Sequence, residues 1–183
     1  PDGVPLRLEK RERTIAEQIV EESMLIANET VACYLRDSEN PSVYRIHELP
    51  EPERLDMMRT VLSSFNLPMP DTESVKPADF QKLLEMTKGT DEAAVVQTIA
   101  LRSMQQACYS TTNAGHFGLA SECYTHFTSP IRRYPDLMVH RLIRQYQRRG
   151  KLTEEESQQS LSYHTIAADQ ASSRERIAVE AER

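Results

Sequence analysis

The chain has 183 residues, 39% of them hydrophobic and 27% charged, with only 5 Gly. It is long enough to bury a core and too poor in glycine for a fibrous or disordered chain, so a globular, mostly helical object is expected. No window approaches the roughly 20 consecutive apolar residues of a membrane span, and the start lacks a signal-peptide apolar stretch, which predicts a cytoplasmic protein with no membrane partner. The formal net charge of −6 argues against nucleic acid if the charge is evenly spread, because phosphate binding is mainly electrostatic.

In chain order, Thr14 with Glu17 three residues on forms a capping-box pattern, and the apolar residues Ile15, Ile19, Met24, Ile26, Val31 and Leu35 predict a long helix to about Arg36. Asp37 to Ser42 is rich in turn formers. Ser42 to His47 alternates and predicts one short strand. Helices are predicted over Glu51–Phe65, on Leu55, Met58, Val61, Leu62 and Phe65, and from Pro77 to near Gly89, with Asn66 to Asp71 as connector. Asp91–Tyr109 predicts a further helix with Val95, Val96, Ile99, Ala100 and Met104 inward. Ser110–Ser129 is a loop of a length that usually carries function. Ser129-Pro130 then has the form of an N-cap followed by Pro in the first turn, while Pro135 either kinks that helix or marks its true start. The helix runs to Gly150, and a last one starts at Thr153 with Glu154 to Glu156 at its positive end. It runs to the final Ala-Glu-Arg with no stop signal, so a piece of a longer domain is expected.

Cys33, Cys108 and Cys123 form an odd set with no C-x-x-C pair, which reads as reduced thiols. Charge is not evenly spread. From His126 to Lys151 the basic residues Arg132, Arg133, Arg141, Arg144, Arg148, Arg149 and Lys151 face only Asp136, so an anionic ligand can be met there. Arg132 and Arg133 would stand in the first turn of a helix, where free N–H groups and the dipole favour an anion and guanidinium binds phosphate bidentately. The plain alternative for such a pair is an ion pair with a neighbour such as Asp136. His116, His126 and His140 are expected to be structural, since none stands in a Ser/His/Asp arrangement. Tyr124, Phe127 and Tyr134 either pack in the core or line a channel.

The stretch from Gly115 to Ile143, GHFGLASECYTHFTSPIRRYPDLMVHRLI, closely resembles the signature of the ribonuclease II and ribonuclease R (RNB) family of 3'-to-5' exoribonucleases. The resemblance extends to IVEESMLIANE from Ile19 and to SRERIAVEAER from Ser173, and is looser from Asp37 to Asp91. The fold it implies is α+β, here a predominantly helical C-terminal part of one RNB catalytic domain over residues 1–183, its helices packed on a sheet mostly outside the chain. The upstream aspartate motif, the cold-shock and S1-type OB-fold domains and the N-terminal half of the RNB domain are then partners outside this sequence. The implied activity is hydrolytic, processive degradation of single-stranded RNA to nucleoside 5'-monophosphates. By position, Arg132 is the family's catalytic arginine, Glu182 a further active-site residue, Glu21 a contact to ribose hydroxyls and Arg133 a second substrate contact. The family's Mg²⁺ is held by clustered aspartates, whereas Asp2, Asp37, Asp56, Asp71, Asp79, Asp91, Asp136 and Asp169 are scattered singly, so no metal ligand is assigned here. The alternative is a non-catalytic RNA-binding or scaffold protein on the same fold. The terminal motif tilts the resemblance toward the ribonuclease R branch.

Overall fold

A computed structural model describes residues 13–68 and 74–182. Asp2, Asp71 and the final arginine, Arg183, lie outside the described residues. The first helix, α1 (Ile15–Asp37), starts as the capping box requires: the Thr14 side chain accepts from Glu17 N–H and Glu17 reaches back to Thr14 N–H. Its C-terminal half is buried through Ala32 and Leu35, while Ile15, Ile19, Val20 and Ile26 remain exposed. The helix period is therefore present along all of α1, but the described residues cover only part of its apolar face.

Strand β1 (Tyr44–Ile46) pairs antiparallel with β2 (Cys108–Ser110), with Arg45 opposite Tyr109. Everything between is an excursion: α2 (Pro52–Ser64), α3 (Pro77–Met86) and α4 (Ala93–Ser103) bury Leu55, Met58, Leu62, Phe80, Leu83, Val96 and Ala100 against one another and against Phe117. Two expectations fail here. Residues Cys108 to Ser110 are strand, not the end of a helix, and Val95 is exposed. No Gly or Pro separates Ser103 from Cys108, so local propensity alone would continue the helix; pairing with β1 overrides it. The helix end is held by side chains instead. Arg54 donates to Met104 O at 3.3 Å and His47 Nε2 to Gln105 O at 2.6 Å.

Beyond β2 come a short 3₁₀ turn (Phe117–Leu119), then α5 (Tyr134–Arg149) and α6 (Glu154–Ala181). The sheet is packed on both faces. Tyr44 and Ile46 meet Ala32 and Cys123 on one side, and Val43 and Tyr109 meet Met138 and Ala168 on the other. Leu35 joins Val139, Leu142 and Tyr146 of α5 in a further cluster. The three cysteines are free thiols, Cys123 buried and the others half-buried.

The loop after β2 is ordered by backbone bonds to β1. Arg45 N–H donates to Tyr124 O, His47 N–H to Gly115 O and Phe117 N–H to His47 O, at 2.8–3.0 Å. Hence β1 has partners on both edges, one of them a loop. His47 ties the arrangement together, its Nδ1 accepting from Gly118 N–H at 2.8 Å. A Cβ on Gly118 would stand 2.7 Å from that ring nitrogen, so the close approach of backbone to imidazole requires glycine.

Candidate nucleic-acid interface

The arginine pair is not in the first turn of a helix. Ser129 to Arg133 forms a turn in which Ser129 O accepts from the N–H groups of Arg132 at 3.3 Å and Arg133 at 3.1 Å, and α5 starts only at Tyr134. Pro135 is the reason. Its ring would meet the carbonyl four residues back if the helix ran through it, whereas near the helix start its missing N–H costs nothing. Of the two readings of Pro135, the true-start reading holds and the Ser129-Pro130 start does not.

Asp136, in the first turn of α5 and 0% exposed, closes this turn. Its Oδ1 accepts from Ser129 N–H at 2.8 Å and from Arg133 Nη2 at 2.7 Å. The two arginines are thereby separated in role: Arg133 lies partly buried in an ion pair, and Arg132 is exposed, with no ion-pair partner among the described residues. The pairing of Arg133 is single rather than forked. Arg133 Nε and Asp136 Oδ2 are both buried without a partner.

The preceding segment of the signature is pinned to α1 by Asn28, 3% exposed, a residue to which the sequence assigned no role. Asn28 Oδ1 accepts from Phe127 N–H at 3.0 Å and Thr128 N–H at 3.3 Å, and its Nδ2 donates to Tyr124 O–H at 2.9 Å. An asparagine in line with Leu35 at heptad spacing was its only signal, since a polar group on a buried face must find partners. Glu21 lies one heptad before Asn28, on the same side of α1, about 10 Å along the axis. It is ion-paired with Arg13. Glu182 caps the end of α6, its N–H donating to Ala178 O at 3.1 Å. No hydrogen bond or ion pair joins any two of Glu21, Arg132, Arg133 and Glu182 among the described residues.

Burial, with nearby cations, keeps His116 and His126 neutral. Burial, reinforced by Arg133 and Arg45, pushes His126 down to about 3, and burial, reinforced by the neighbouring His47 and Arg45, pushes His116 down to about 4. Tyr109 is pushed up to about 12 by burial, so its hydroxyl stays protonated and donates to His126 Nδ1 at 2.8 Å. Arg45 lies over the Tyr109 ring, 4.6 Å from its centre, and pairs with Glu175 of α6 at 2.6 Å. His140 donates to Phe127 O at 2.9 Å and stacks on its ring. The expected structural role of these histidines holds. Tyr124 is buried, Phe127 half-buried and Tyr134 exposed, so the aromatic set divides between packing and surface.

The lowered histidines have a consequence for stability. The unfolded chain takes up these protons near the ordinary value of 6.5 and the folded chain only near 4 and 3. The contribution is whole above pH 6.5 and drains away as pH falls toward 3. Urea midpoints of the purified chain should drop between pH 7 and pH 5, above the range of most carboxylates, and less so in His126→Gln. A midpoint flat over that interval would contradict the burial of these rings.

Among the described residues no three His, Cys, Asp or Glu side chains gather into a group able to hold a metal ion. Asp136 is already committed to Ser129 and Arg133, so the described residues do not fit a resident metal. No described helix is long and apolar enough to cross a membrane.

A family model for the RNB domain matches residues 2–149. The chain is 46% identical over 182 residues to Ribonuclease R 1 of Lactococcus lactis subsp. lactis (strain IL1403), covering 99% of this chain and 22% of that protein. Among solved structures, Mycoplasma genitalium RNase R in complex with ribose methylated single-stranded RNA superposes with a TM-score of 0.82 at 30% identity, over 92% of this chain and 27% of that one. Yeast Ssd1, described as a pseudonuclease, shares the fold with a TM-score of 0.67 at 24% identity, over 87% of this chain and 20% of that one. The chain thus spans about a quarter of the length of the relatives it matches. The family match over residues 2–149 shows that this chain belongs to the RNB domain family.

Proposed function

We propose that this chain is the C-terminal part of the catalytic domain of a cytoplasmic, hydrolytic 3'-to-5' exoribonuclease that degrades single-stranded RNA processively to nucleoside 5'-monophosphates. The observation that carries it is Arg132: an exposed guanidinium without an ion-pair partner among the described residues, on a turn fixed from behind by the buried Asp136. A guanidinium so held presents its fork to a phosphate and stabilises the charge that builds on it in the transition state. Arg133, tied to Asp136 through Nη2 and with its Nε buried, shapes the turn and keeps Nη1 for a second phosphate oxygen. Glu21 accepts from ribose hydroxyls, a donor that DNA lacks at the 2' position, after exchanging its present partner Arg13. Glu182 belongs to the same site on this reading.

Mg²⁺, held by aspartates outside this chain, would supply the activated water. OB-fold domains, likewise outside it, would gather the strand. The 183-residue chain incubated alone with RNA and Mg²⁺ is accordingly expected to release no mononucleotide; release above the buffer blank would relocate the chemistry to residues present here. In the intact protein, Glu21→Gln should narrow the preference for RNA over DNA, read as the ratio of the two kcat/KM values, and an unchanged ratio removes the ribose role. The second reading, a non-catalytic RNA-binding protein, is favoured by one observation, that the pseudonuclease Ssd1 has the same fold. Turnover by the intact wild-type protein, lost on substitution of Arg132, decides between the two.

A further inference from the structure

The outer face of α5 takes no part in the site above. At 100° per residue Arg141, Arg144 and Arg148 fall within about 60° of arc, on the side opposite Met138, Leu142 and Tyr146, which are buried. All three arginines are exposed, and among the described residues none has an ion-pair partner, whereas Arg149 on the same helix is taken by Glu156 at 2.6 Å. A solvated helix face ordinarily mixes signs at three- and four-residue spacing, because like charges there destabilise the helix. Arg141 with Arg144, and Arg144 with Arg148, supply only repulsion, in a chain whose net charge is −6. An anion laid along the row would turn that repulsion into attraction.

Beside the row lies a groove of about 480 Å³, lined in part by Phe127, His140, Arg141, Ile143, Arg144 and Gln147. That size falls within the roughly 300–1,000 Å³ of ligand clefts. Its wall includes Phe127 stacked flat on His140, ring centres 4.1 Å apart and planes 13° apart. Phe127 stands just before the turn that carries Arg132, so groove, row and turn adjoin.

We propose that this face is a second RNA-binding track: Arg141, Arg144 and Arg148 take backbone phosphates of a single strand outside the Arg132 site, and the groove takes one base against its aromatic wall. The inference rests on the exoribonuclease reading above and names a further part of its substrate path. An acidic protein segment would answer the charges but not the groove, whose flat ring pair, guanidinium rim and Gln147 amide match the face and edge of a base.

The test uses the intact protein in metal-free buffer, so that RNA is bound and not consumed, with single strands of roughly 20 and roughly 5 nucleotides titrated across salt. R141Q/R144Q/R148Q is expected to weaken binding of the longer strand by about tenfold or more and to reduce the slope of log affinity against log salt by about 2, at about 0.7 per phosphate contact. The short strand should bind within twofold of wild type. R141K/R144K/R148K should keep the slope. If the glutamine triple does not fold, R144Q alone is read the same way, with a slope change of about 0.7. Unchanged affinity and slope for the longer strand overturn the track. Equal weakening of both strands also overturns it, because the arginines would then serve the Arg132 site. So does unchanged RNA binding combined with polyglutamate binding that wild type has and the triple lacks, which identifies an acidic protein partner. The reading beneath it fails separately: full turnover in R132A removes the exoribonuclease assignment whatever the track does.

Discussion

Arg132→Ala in the intact protein is expected to lower turnover of single-stranded RNA by about 10²- to 10³-fold, the usual cost of removing one preorganised donor from a developing negative charge. The same substitution should leave the unfolding midpoint within about 0.5 kcal/mol of wild type, because the side chain is exposed and has no ion-pair partner to strand among the described residues. This combination distinguishes a substrate residue from a structural one. Arg132→Lys should recover only part of the loss, since an ammonium keeps the charge and lacks the planar fork. Single-turnover kinetics at saturating RNA, beside a urea unfolding curve, measure both quantities. Turnover retained at equal folding would remove the central residue of the proposed function.

Asp136 should show the opposite pattern. Its carboxylate is 0% exposed and holds both Ser129 N–H and the Arg133 guanidinium. Asp136→Ala leaves a partly buried cation and a backbone N–H without their acceptor, a change that costs about 3–5 kcal/mol when the pair is buried. Against a total stability of about 5–15 kcal/mol, that is enough to bring the chain close to unfolding at 37 °C. Asp136→Asn keeps an acceptor for Ser129 and loses the charge opposite Arg133, so it should cost less and fold. In that variant the turn is loosened while Arg132 is intact, and turnover should fall through kcat more than through KM. Chemical unfolding of the three proteins tests the order wild type, Asn, Ala. An alanine variant as stable as wild type would mean that the turn is closed by something other than this carboxylate.

The two substitutions separate Arg132 from Arg133, which Asp136 holds and which sequence alone treats as one feature with Arg132. In the sequence, Arg132 and Arg133 are a pair of adjacent cations, and the choice between phosphate ligand and ion-pair partner is open for both. Asp136 resolves it for Arg133 by a contact across three residues, which becomes geometric only once Pro135 has moved the helix start to Tyr134. The separation of roles is therefore a property of the turn and not of the residue types.

Where an element depends on its own residues, the sequence was sufficient. The capping box at Thr14, the helix start at Thr153 before Glu154 to Glu156, the alternation of Val43 to His47 and the period of Leu55, Met58 and Leu62 each specify their element locally, and each is present. The signature from Gly115 to Ile143 likewise pointed to the family, which the match over residues 2–149 shows. What depends on contacts far apart in the chain was not legible. Cys108 to Ser110 become strand because β1 offers an edge, against their local helix propensity, and Asn28 matters because Phe127 and Thr128 arrive beside it. Local hydrogen bonds and periodicity are written in consecutive residues, whereas which groups are buried, paired or left open to a ligand follows from the packing of segments a hundred residues apart. Hence the sequence by itself determined the family, most of the helices and the candidate Arg132, and only the tertiary structure decided that Arg132 stands open while Arg133 is held.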